Sequence, residues 1–451
     1  MQFQISKDLI EQVKLHIQND EGEKLLTMLD EIHFADIAEI INELDLSEAT
    51  FLIKLLDSQK TSEALMELEE DVREGILEKL SAKEIAEELE EMDTDDAADI
   101  PSELTEDRAE SVIAQIEDPS HAEHIVELLT YDEDKAGGLM AKELVKVKET
   151  WTVAGCVREM RRQAENVTRV HSIYVVDLEG RLKGRLSLKD LLTAGAKSHI
   201  SEVYIPKVDY VTVDTEGEEV ARIMQKYDLE AIPVIDHNEV LVGRITIDDI
   251  VDFIKEEAEK DYQMAAGISQ DVEADDNVWQ LTRARLPWLI LGLFGGLGSV
   301  FIMEGFEEVM MNPEYRSLFF YTPLIAAMAG NVGVQSSAII VQGLANNAVR
   351  GSLLHRLLKE IGLSLINGTA LAILIIIFGM VMNYELSFSM TIAIALMSVI
   401  IVAALIGTFV PIILDKRGID PAIATGPFIT TSNDIFGIFL FFYIAKLILN
   451  F

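Results

Sequence analysis

One acidic residue, Asp434, stands inside a stretch that is otherwise apolar enough to cross a membrane. An isolated charge in the hydrocarbon core costs about 3 kcal/mol, so intramembrane acids usually face a water-filled path or the protein interior. The polar run 430–433 (Thr-Thr-Ser-Asn) precedes it, and Pro427 would leave a backbone carbonyl free one turn earlier. These residues predict a cation path lined by oxygen atoms. The alternative is an acid hydrogen-bonded to neighbouring helices for structure alone.

A second group of oxygen-bearing side chains lies in an earlier apolar stretch, residues 330–337 (Gly-Asn-Val-Gly-Val-Gln-Ser-Ser). Asn331 and Gln335 are four residues apart, so a helix presents both amides on one face. Together with Asp434 the donors are carboxylate, amide, hydroxyl and carbonyl oxygens, which suit Mg²⁺ or Ca²⁺ rather than a soft metal. The alternative for this segment is a patch of small residues that packs helices together.

Hydropathy and charge place these residues in a membrane domain. A spanning helix needs about 20 apolar residues, and five stretches qualify, at 287–303, 319–341, 361–382, 390–414 and 422–449. Arg283 and Arg285 precede the first span, and the loops that follow are alternately mainly acidic and basic. The basic loops hold Arg350, Arg356 and Lys359, and then Lys416 and Arg417, whereas Arg316 lies among acids. By the positive-inside rule the N-terminal half lies in the cytoplasm, and five crossings place the C-terminal Phe451 outside.

The charge of the chain is concentrated before the membrane domain. Of 37 basic and 77 acidic residues, 29 and 68 precede Ala284, so the first part carries nearly all of the net charge of −40. Such a surface repels nucleic acid and attracts cations, and the split excludes a simple soluble enzyme and a disordered acidic chain. We expect no nucleic-acid partner, no catalysis, no signal peptide and, with Cys156 as the single cysteine, no internal disulfide.

The first part of the acidic half is predicted to be all helical. Between residues 10 and 130 apolar side chains recur at spacings of three and four, for example at Ile37, Ile40, Ile41 and Leu44. Glycine and proline are rare there, and Asp, Ser and Thr recur where caps are needed. This pattern indicates short helices stacked in a small superhelix.

The second part of the acidic half repeats itself with an offset of 59 residues. Residues 173–177 (Ile-Tyr-Val-Val-Asp) match 232–236 (Ile-Pro-Val-Ile-Asp), and 184–190 match 243–249. Each copy has a strand, a glycine turn, a second strand and a helix opened by Ser/Thr-x-x-Asp. This resembles a tandem pair of CBS domains. The resemblance implies an adenine nucleotide, such as ATP, at Ser187, Asp190, Thr246 and Asp249, whereas the simpler interpretation is that these residues cap two helices.

The CBS pair runs into a connecting helix at residues 247–267, which leads to the membrane. Asp249, Asp252, Glu256 and Glu259 fall on one face of this helix. Like charges at that spacing destabilise a lone helix. The face is therefore either simply solvated or a surface that needs cations in order to pack.

The order of these parts resembles the MgtE family of magnesium channels and transporters over nearly the whole chain. The motifs that carry the resemblance are Tyr131 with 136–140 (Ala-Gly-Gly-Leu-Met), 287–289 (Pro-Trp-Leu), 330–336, and 420–422 (Asp-Pro-Ala) continuing through Gly426 and Thr430 to Asp434 and Gly437. The resemblance implies a homodimer with an ion path on its axis, lined by the second and fifth spans. Asp434 would face a hydrated Mg²⁺, and Asn331, Gly426 and Thr430 would line the pore.

The resemblance also implies acids that sense cytosolic Mg²⁺. Asp420 would meet the connecting helix, which closes the pore as a plug. The other implied regulatory ligands are Asp249, Asp252, Glu257 and Glu259 of the plug, Glu218 and Asp228 of the second CBS unit, and Asp95 and Asp99 of the helical domain.

We therefore expect a multi-domain, multi-pass protein of the bacterial plasma (inner) membrane. Its parts are an all-α, cytosolic, superhelical N-domain (1–132), an α/β tandem CBS pair (133–200 and 201–260), a connecting plug helix (247–280) and a five-helix transmembrane domain (281–451). The expected function is import of Mg²⁺ down the membrane potential, with closure by cytosolic Mg²⁺. The alternatives are a carrier for a broader set of divalent cations (Co²⁺, Mn²⁺, Ca²⁺) and a membrane-anchored Mg²⁺ or nucleotide sensor without transport.

Overall fold

The computed structural model describes residues 5–164, 167, 169–170, 172–269, 272, 276–313, 315–345, 349, 352–424 and 426–449. Arg350 and Phe451, which were used above to orient the chain, lie outside these residues. The chain divides into two compact units, Met1–Lys255 and Glu256–Phe451.

The first unit begins with a series of short helices. They are α1 (Lys7–Gln18), α2 (Gly22–Leu29), α3 (Phe34–Asn42), α4 (Leu46–Leu55), α5 (Ser58–Met66), α6 (Glu70–Lys79), α7 (Ala82–Leu89), α8 (Thr94–Glu103), α9 (Glu106–Ile113) and α10 (Pro119–Leu128). Several start at a side chain that accepts hydrogen bonds from the first turn, such as Asp45 before α4 and Ser81 before α7. Ile37, Ile40 and Ile41 are fully buried in the core. The predicted helical domain is confirmed.

Two α/β repeats complete the first unit. The first contains β1 (Val145–Lys148), α11 (Val153–Gln163), β2 (Ile173–Val176), β3 (Leu182–Leu186) and α12 (Leu188–Thr193), and the second contains β4 (Val211–Thr212), α13 (Gly217–Tyr227), β5 (Ala231–Ile235), β6 (Leu241–Thr246) and α14 (Ile247–Ala266). In each repeat the first two strands are parallel and the last two are antiparallel. The duplicated CBS fold that was predicted from the offset is therefore confirmed.

The second unit is a bundle of long apolar helices. They are α15 (Val278–Glu304), the short α16 (Glu307–Met311), α17 (Thr322–Ala345), α18 (Leu353–Val381), α19 (Leu386–Asp415) and α20 (Gly426–Leu449), with 3₁₀ turns at Arg316–Tyr321 and Pro421–Ala424. Within the described residues, five helical stretches are long and apolar enough to cross a membrane. The five predicted spans are thus confirmed. The helix α19 is the most buried of them and contacts α17, α18 and α20.

Two helix boundaries differ from the sequence-based expectation. The connecting plug helix, assigned above to 247–280, ends at Ala266, because Gly267 has a φ of 81° that a continuing helix cannot take. The last helix begins at Gly426 instead of residue 422. Pro427 is therefore in the first turn, where its missing N–H interrupts no helical hydrogen bond. The prediction that Pro427 frees a carbonyl inside the span was wrong.

Candidate cation path and regulatory acids

A cavity of about 410 Å³ lies between α17 and α20 in the second unit. Its walls are formed by Ala326, Ala327, Gly330, Asn331, Val334 and Gln335 of α17 and by Thr430 and Asp434 of α20. The α17 members recur every three to four residues, so they form one face of that helix. Three of the four predicted pore residues, Asp434, Asn331 and Thr430, share this cavity.

Small residues allow the two walls of the cavity to approach each other. A Cβ atom added at Gly330 would lie 3.1 Å from the Cγ2 atom of Thr430 and 3.7 Å from Oδ1 of Asp434. Further along, a Cβ atom at Gly437 would lie 2.9 Å from the Cβ atom of Ala329. Larger side chains at these positions would separate α17 from α20. The small residues of segment 330–337 and the oxygen-bearing residues predicted from the sequence therefore belong to the same cavity.

The chemistry of the cavity is that of a hard-cation site. It presents the Asp434 carboxylate, the amides of Asn331 and Gln335 and the hydroxyl of Thr430. The Thr430 hydroxyl donates to the Gly426 carbonyl at 2.9 Å, which leaves its oxygen lone pairs available as acceptors. Water occupies about 30 Å³ per molecule, so an octahedral shell of six waters takes about 180 Å³. The cavity is large enough for a hydrated divalent ion.

The fourth predicted pore residue, Gly426, is not among the residues that line the cavity. It starts α20 with a φ of 46°, and a Cβ atom there would collide with the carbonyl of Ala265 at the end of α14. Gly267 makes a similar approach, because its added Cβ atom would collide with the ring of Pro427. The last turn of the connecting helix therefore packs on the first turn of the helix that carries Asp434.

Regulatory acids from two predicted groups meet in the first unit. Burial and then the negative charge of Asp249 raise the pKa of Asp95 on α8. Burial, followed by the charges of Asp249 and Asp93, raises the pKa of the neighbouring Asp96 to about 7. Burial also raises the pKa of Asp249 itself, against the hydrogen bonds from Thr246. At this junction between the helical domain and the second CBS repeat, burial and mutual repulsion favour the protonated forms of the acids.

One buried cation, Arg244 of β6, lies at the same junction. Its Nη1 donates to the carbonyl of Arg169 at 3.0 Å, and its Nη2 lies 3.6 Å from Oδ2 of Asp93. Sequence reasoning missed both Arg244 and Asp96. Asp96 adjoins Asp95 in the chain and was detectable as part of an acidic run, whereas nothing in the sequence around Arg244 indicated an ion pair with another domain.

The remaining predicted regulatory acids are dispersed. Burial and then the charge of Asp96 raise the pKa of Asp99 to about 7, so this residue extends the acidic junction. Glu218, Asp228, Asp252, Glu259 and Asp420 are exposed. Glu257 pairs with Lys260 at 3.0 Å, and Asp420 accepts a hydrogen bond from the Ala422 N–H at 2.7 Å. Across the part of the chain that the structure describes, no three His, Cys, Asp or Glu side chains are arranged to hold a metal ion together. These acids are surface charges in the observed arrangement.

The predicted nucleotide residues bond to one another. The Ser187 hydroxyl donates to the Asp190 carboxylate at 2.6 Å and accepts from the Asp190 N–H at 3.1 Å. The Thr246 hydroxyl donates to Asp249 at 2.5 Å in the second repeat. Both pairs sit at the starts of helices, as the capping interpretation expects. Their role toward a nucleotide stays a prediction.

A cavity lined by oxygen-bearing side chains between membrane helices, in a chain that also carries acidic helical and CBS domains, is the arrangement of a divalent cation transporter. The comparisons with known proteins agree. Family models match in chain order: the MgtE intracellular N domain at residues 32–134, CBS domains at 136–197 and 200–256, and the MgtE divalent cation transporter domain at 322–444. The chain belongs to the MgtE family of magnesium transporters.

Relatives resemble most of the chain. It is 36% identical to the magnesium transporter MgtE of Thermus thermophilus over 74% of each protein, and 31% identical to that of Bacillus subtilis over 97% of each. Among solved structures it resembles the cytosolic domain of the Mg²⁺ channel MgtE in complex with ATP (36% identity, TM-score 0.51), covering 54% of this chain and 99% of that one. The soluble part of a magnesium transporter is also similar (27% identity, TM-score 0.51, 56% of this chain and 99% of that one).

Proposed function

We propose that this protein is a Mg²⁺-selective channel or transporter that admits Mg²⁺ to the cytoplasm and is closed by cytosolic Mg²⁺. The observation that carries the proposal is the cavity that Asp434, Asn331 and Thr430 line together. A carboxylate between apolar helices is costly, and lining a path for a cation is a function that justifies the cost.

The driving force for entry is the membrane potential. One charge that crosses 100 mV gains about 2.3 kcal/mol, so a divalent ion gains about 4.6 kcal/mol. Import therefore requires no nucleotide hydrolysis. Mg²⁺ gives up its waters reluctantly, and the cavity of about 410 Å³ has room for the hydrated ion. Selectivity then comes from the fit of the hydrated ion to the carboxylate and amide oxygens.

Closure is proposed to use the acidic surfaces of the cytosolic part. Two unit charges 6 Å apart repel by about 0.7 kcal/mol even in bulk water. A handful of such contacts approaches the 5.5 kcal/mol that moves a two-state gate from 1:99 to 99:1. Bound Mg²⁺ would remove this repulsion. Asp95 and Asp249 form the centre of the proposed sensor, and its wider ligand set is Asp99, Glu218, Asp228, Asp252, Glu257, Glu259 and Asp420.

Orientation and assembly form part of the proposal. We place the protein in the bacterial inner membrane with its N-terminal domains in the cytoplasm, since Arg356 and Lys359 lie in the first two turns of α18 and Lys416 and Arg417 follow α19. We propose a homodimer. The homodimer is supported by exposed apolar side chains at equivalent positions of the two CBS repeats. They are Leu188 and Leu192 of α12 (46% and 84% exposed) and Ile247 and Val251 of α14 (39% and 56% exposed).

An adenine nucleotide at the CBS pair is a further element of the proposal, supported by the ATP complex of the similar cytosolic domain. Ser187, Asp190 and Thr246 are the residues assigned to it. Calorimetric titration of the protein with ATP, beside Asp190→Asn, tests this element. We expect saturable binding that the substitution weakens, and an absence of binding to the wild type would refute it.

The central test is Mg²⁺ flux into liposomes that contain the purified protein, at low and then high Mg²⁺ on the cytosolic face. The variant is Asp434→Asn, and the matched control is Asp415→Asn, an exposed acid at the end of α19. We expect flux that is lost in Asp434→Asn, kept in the control and inhibited by cytosolic Mg²⁺ in the wild type. Equal flux in all three proteins would remove Asp434 from the ion path.

The same assay separates the alternative functions. Equal transport of Co²⁺, Mn²⁺ or Ca²⁺ would favour the broader divalent carrier. No flux in any protein, with domain motions that still respond to Mg²⁺, would favour the membrane-anchored sensor.

A further inference from the structure

A carboxylate on α18 reaches the helix that forms one wall of the cavity. The hydroxyl of Ser336 on α17 donates to Oε1 of Glu360 at 2.5 Å. Ser336 is 5% exposed, and Glu360 is partly buried near the start of the third span. We propose that Glu360 is a positioning residue for ion binding, which acts through Ser336 on the cavity wall of α17. This inference rests on the proposed function, because the cavity is its target.

The place of Ser336 in the helix makes this bond relevant to the cavity. Ser336 directly follows Gln335, whose amide lines the cavity, and Asn331 lies on the same face one turn earlier. A rotation or axial shift of α17 at Ser336 therefore moves both amides relative to Asp434. Metal selectivity depends on such placement, since Mg²⁺ requires near-ideal octahedral geometry.

Two further contacts of α17 at this level are close approaches between small residues. A Cβ atom at Gly333 would collide with the Asn433 amide of α20, and one at Gly407 of α19 would collide with the backbone of Gly333. Such small-residue packing sets how closely helices approach but resists sliding and rotation weakly. A hydrogen bond to a carboxylate is short, strong and directional. The Ser336–Glu360 bond is therefore suited to fix the rotation of α17.

The two helices also place this bond on the cytosolic side of the cavity in the proposed orientation. Along α17, Ser336 is six residues beyond Gly330, which corresponds to about 9 Å. On α18, Glu360 lies eight residues into a helix that begins at Leu353. The carboxylate is thus near the expected membrane boundary, where a charged group costs less than at the centre.

The test measures Mg²⁺ flux in liposomes as a function of external Mg²⁺ for the full chain and four variants. Ser336→Ala and Glu360→Ala break the bond, and Glu360→Gln keeps an acceptor but removes the charge. Ser398→Ala is the matched control, because that hydroxyl bonds only within α19, to the Ile394 carbonyl at 2.9 Å, among the bonds described. Each variant is first compared with the wild type for yield and thermal stability in detergent.

A positioning role predicts a specific pattern. Ser336→Ala and Glu360→Ala should raise the half-saturating Mg²⁺ concentration about tenfold or more, the usual effect of losing a charge-assisted hydrogen bond, with a smaller change in maximal flux. The double variant should be no worse than either single one. Glu360→Gln, which keeps a weaker neutral bond, should raise the half-saturating concentration less than Glu360→Ala does, and the control should stay near the wild type. If either alanine variant does not fold, Ser336→Thr, which keeps the hydroxyl, should retain the wild-type saturation curve.

Other outcomes would overturn the inference. If Glu360→Gln is as damaging as Glu360→Ala while Ser336→Ala is harmless, the carboxylate acts by its charge on the ion, not by positioning α17. If Ser336→Ala matches the wild type in every respect, the bond has no functional role. An inactive wild type would instead refute the proposed function, so the two failures are distinguishable.

Discussion

Replacing Gly426 by alanine tests whether the end of the connecting helix controls the ion path. Gly426 has a φ of 46°, a region that costs an L-residue about 1–2 kcal/mol. The added Cβ atom would also collide with the carbonyl of Ala265, which is backbone and cannot rotate away. Either α14 or the start of α20 must move. Overpacking of this kind typically costs about 1–3 kcal/mol.

The chain offers a matched control for this change. Gly418 also has a positive φ, 68°, but an added Cβ atom there meets nothing within 4 Å. Gly418→Ala therefore introduces the same kind of backbone strain without a collision. The difference between the two variants isolates the contact with α14. At 1.4 kcal/mol per factor of ten, a contact worth about 1–3 kcal/mol changes the ratio of closed to open protein by about 5-fold to 150-fold.

The assay is Mg²⁺ flux in liposomes at a series of Mg²⁺ concentrations on the cytosolic face. We expect Gly426→Ala to need at least five times more Mg²⁺ for half-inhibition, because it weakens the contact between α14 and α20, which the proposal assigns to the closed state. Gly418→Ala should be inhibited like the wild type. If Gly426→Ala and Gly418→Ala give the same inhibition curve, the contact of Gly426 with Ala265 does not stabilise the closed state. The proposed plug mechanism would then lose its structural support.

Two further predictions concern stability. Gly407→Ala should lower the free energy of unfolding in detergent by about 1–3 kcal/mol, because the added Cβ atom would collide with the backbone of Gly333. The control is Gly362→Ala, whose added Cβ atom meets nothing within 4 Å, and it should leave the free energy of unfolding unchanged or raise it by up to about 1 kcal/mol. Equal effects would contradict the described α17–α19 packing. In the absence of Mg²⁺, the free energy of unfolding of the first unit should fall as the pH rises from about 4 to 7. The pKa of Asp96 is raised to about 7 in the folded state, so folded Asp96 keeps its proton over this range, whereas Asp96 in the unfolded chain has lost it. The share of Asp96 in this loss is at most about 4 kcal/mol. Denaturant titrations should show the loss reduced by Asp96→Asn or by added Mg²⁺, and a pH-independent stability would refute the buried acidic junction.

Much of the fold was predictable because its signals are local. Hydropathy alone locates a spanning helix, since about 20 apolar residues must be contiguous. The repeat at an offset of 59 residues identified the two α/β units, because Ser187 and Thr246 open equivalent helices in the two copies. The boundary at Gly426 was not predictable from hydropathy. Residues 422–424 are as apolar as those of the span, and the break depends on a positive φ that glycine permits but does not require.

The sequence predicted polar residues that line the cavity, but not the residues that hold its walls in position. Asp434 and Asn331 are unusual residue types for a membrane helix, and that rarity marks them in a single sequence. Ser336 and Glu360 carry no such mark. A serine is an ordinary residue in a helix rich in small residues. An acid near the end of a span is expected at the boundary between membrane and water. Their bond requires particular rotations of α17 and α18 about their axes, and no local sequence pattern encodes those rotations. Asp96 and Arg244 follow the same logic, since each becomes unusual only when another domain covers it. Residues whose type is rare in a membrane helix are therefore easier to identify from a sequence than the residues that hold them in position.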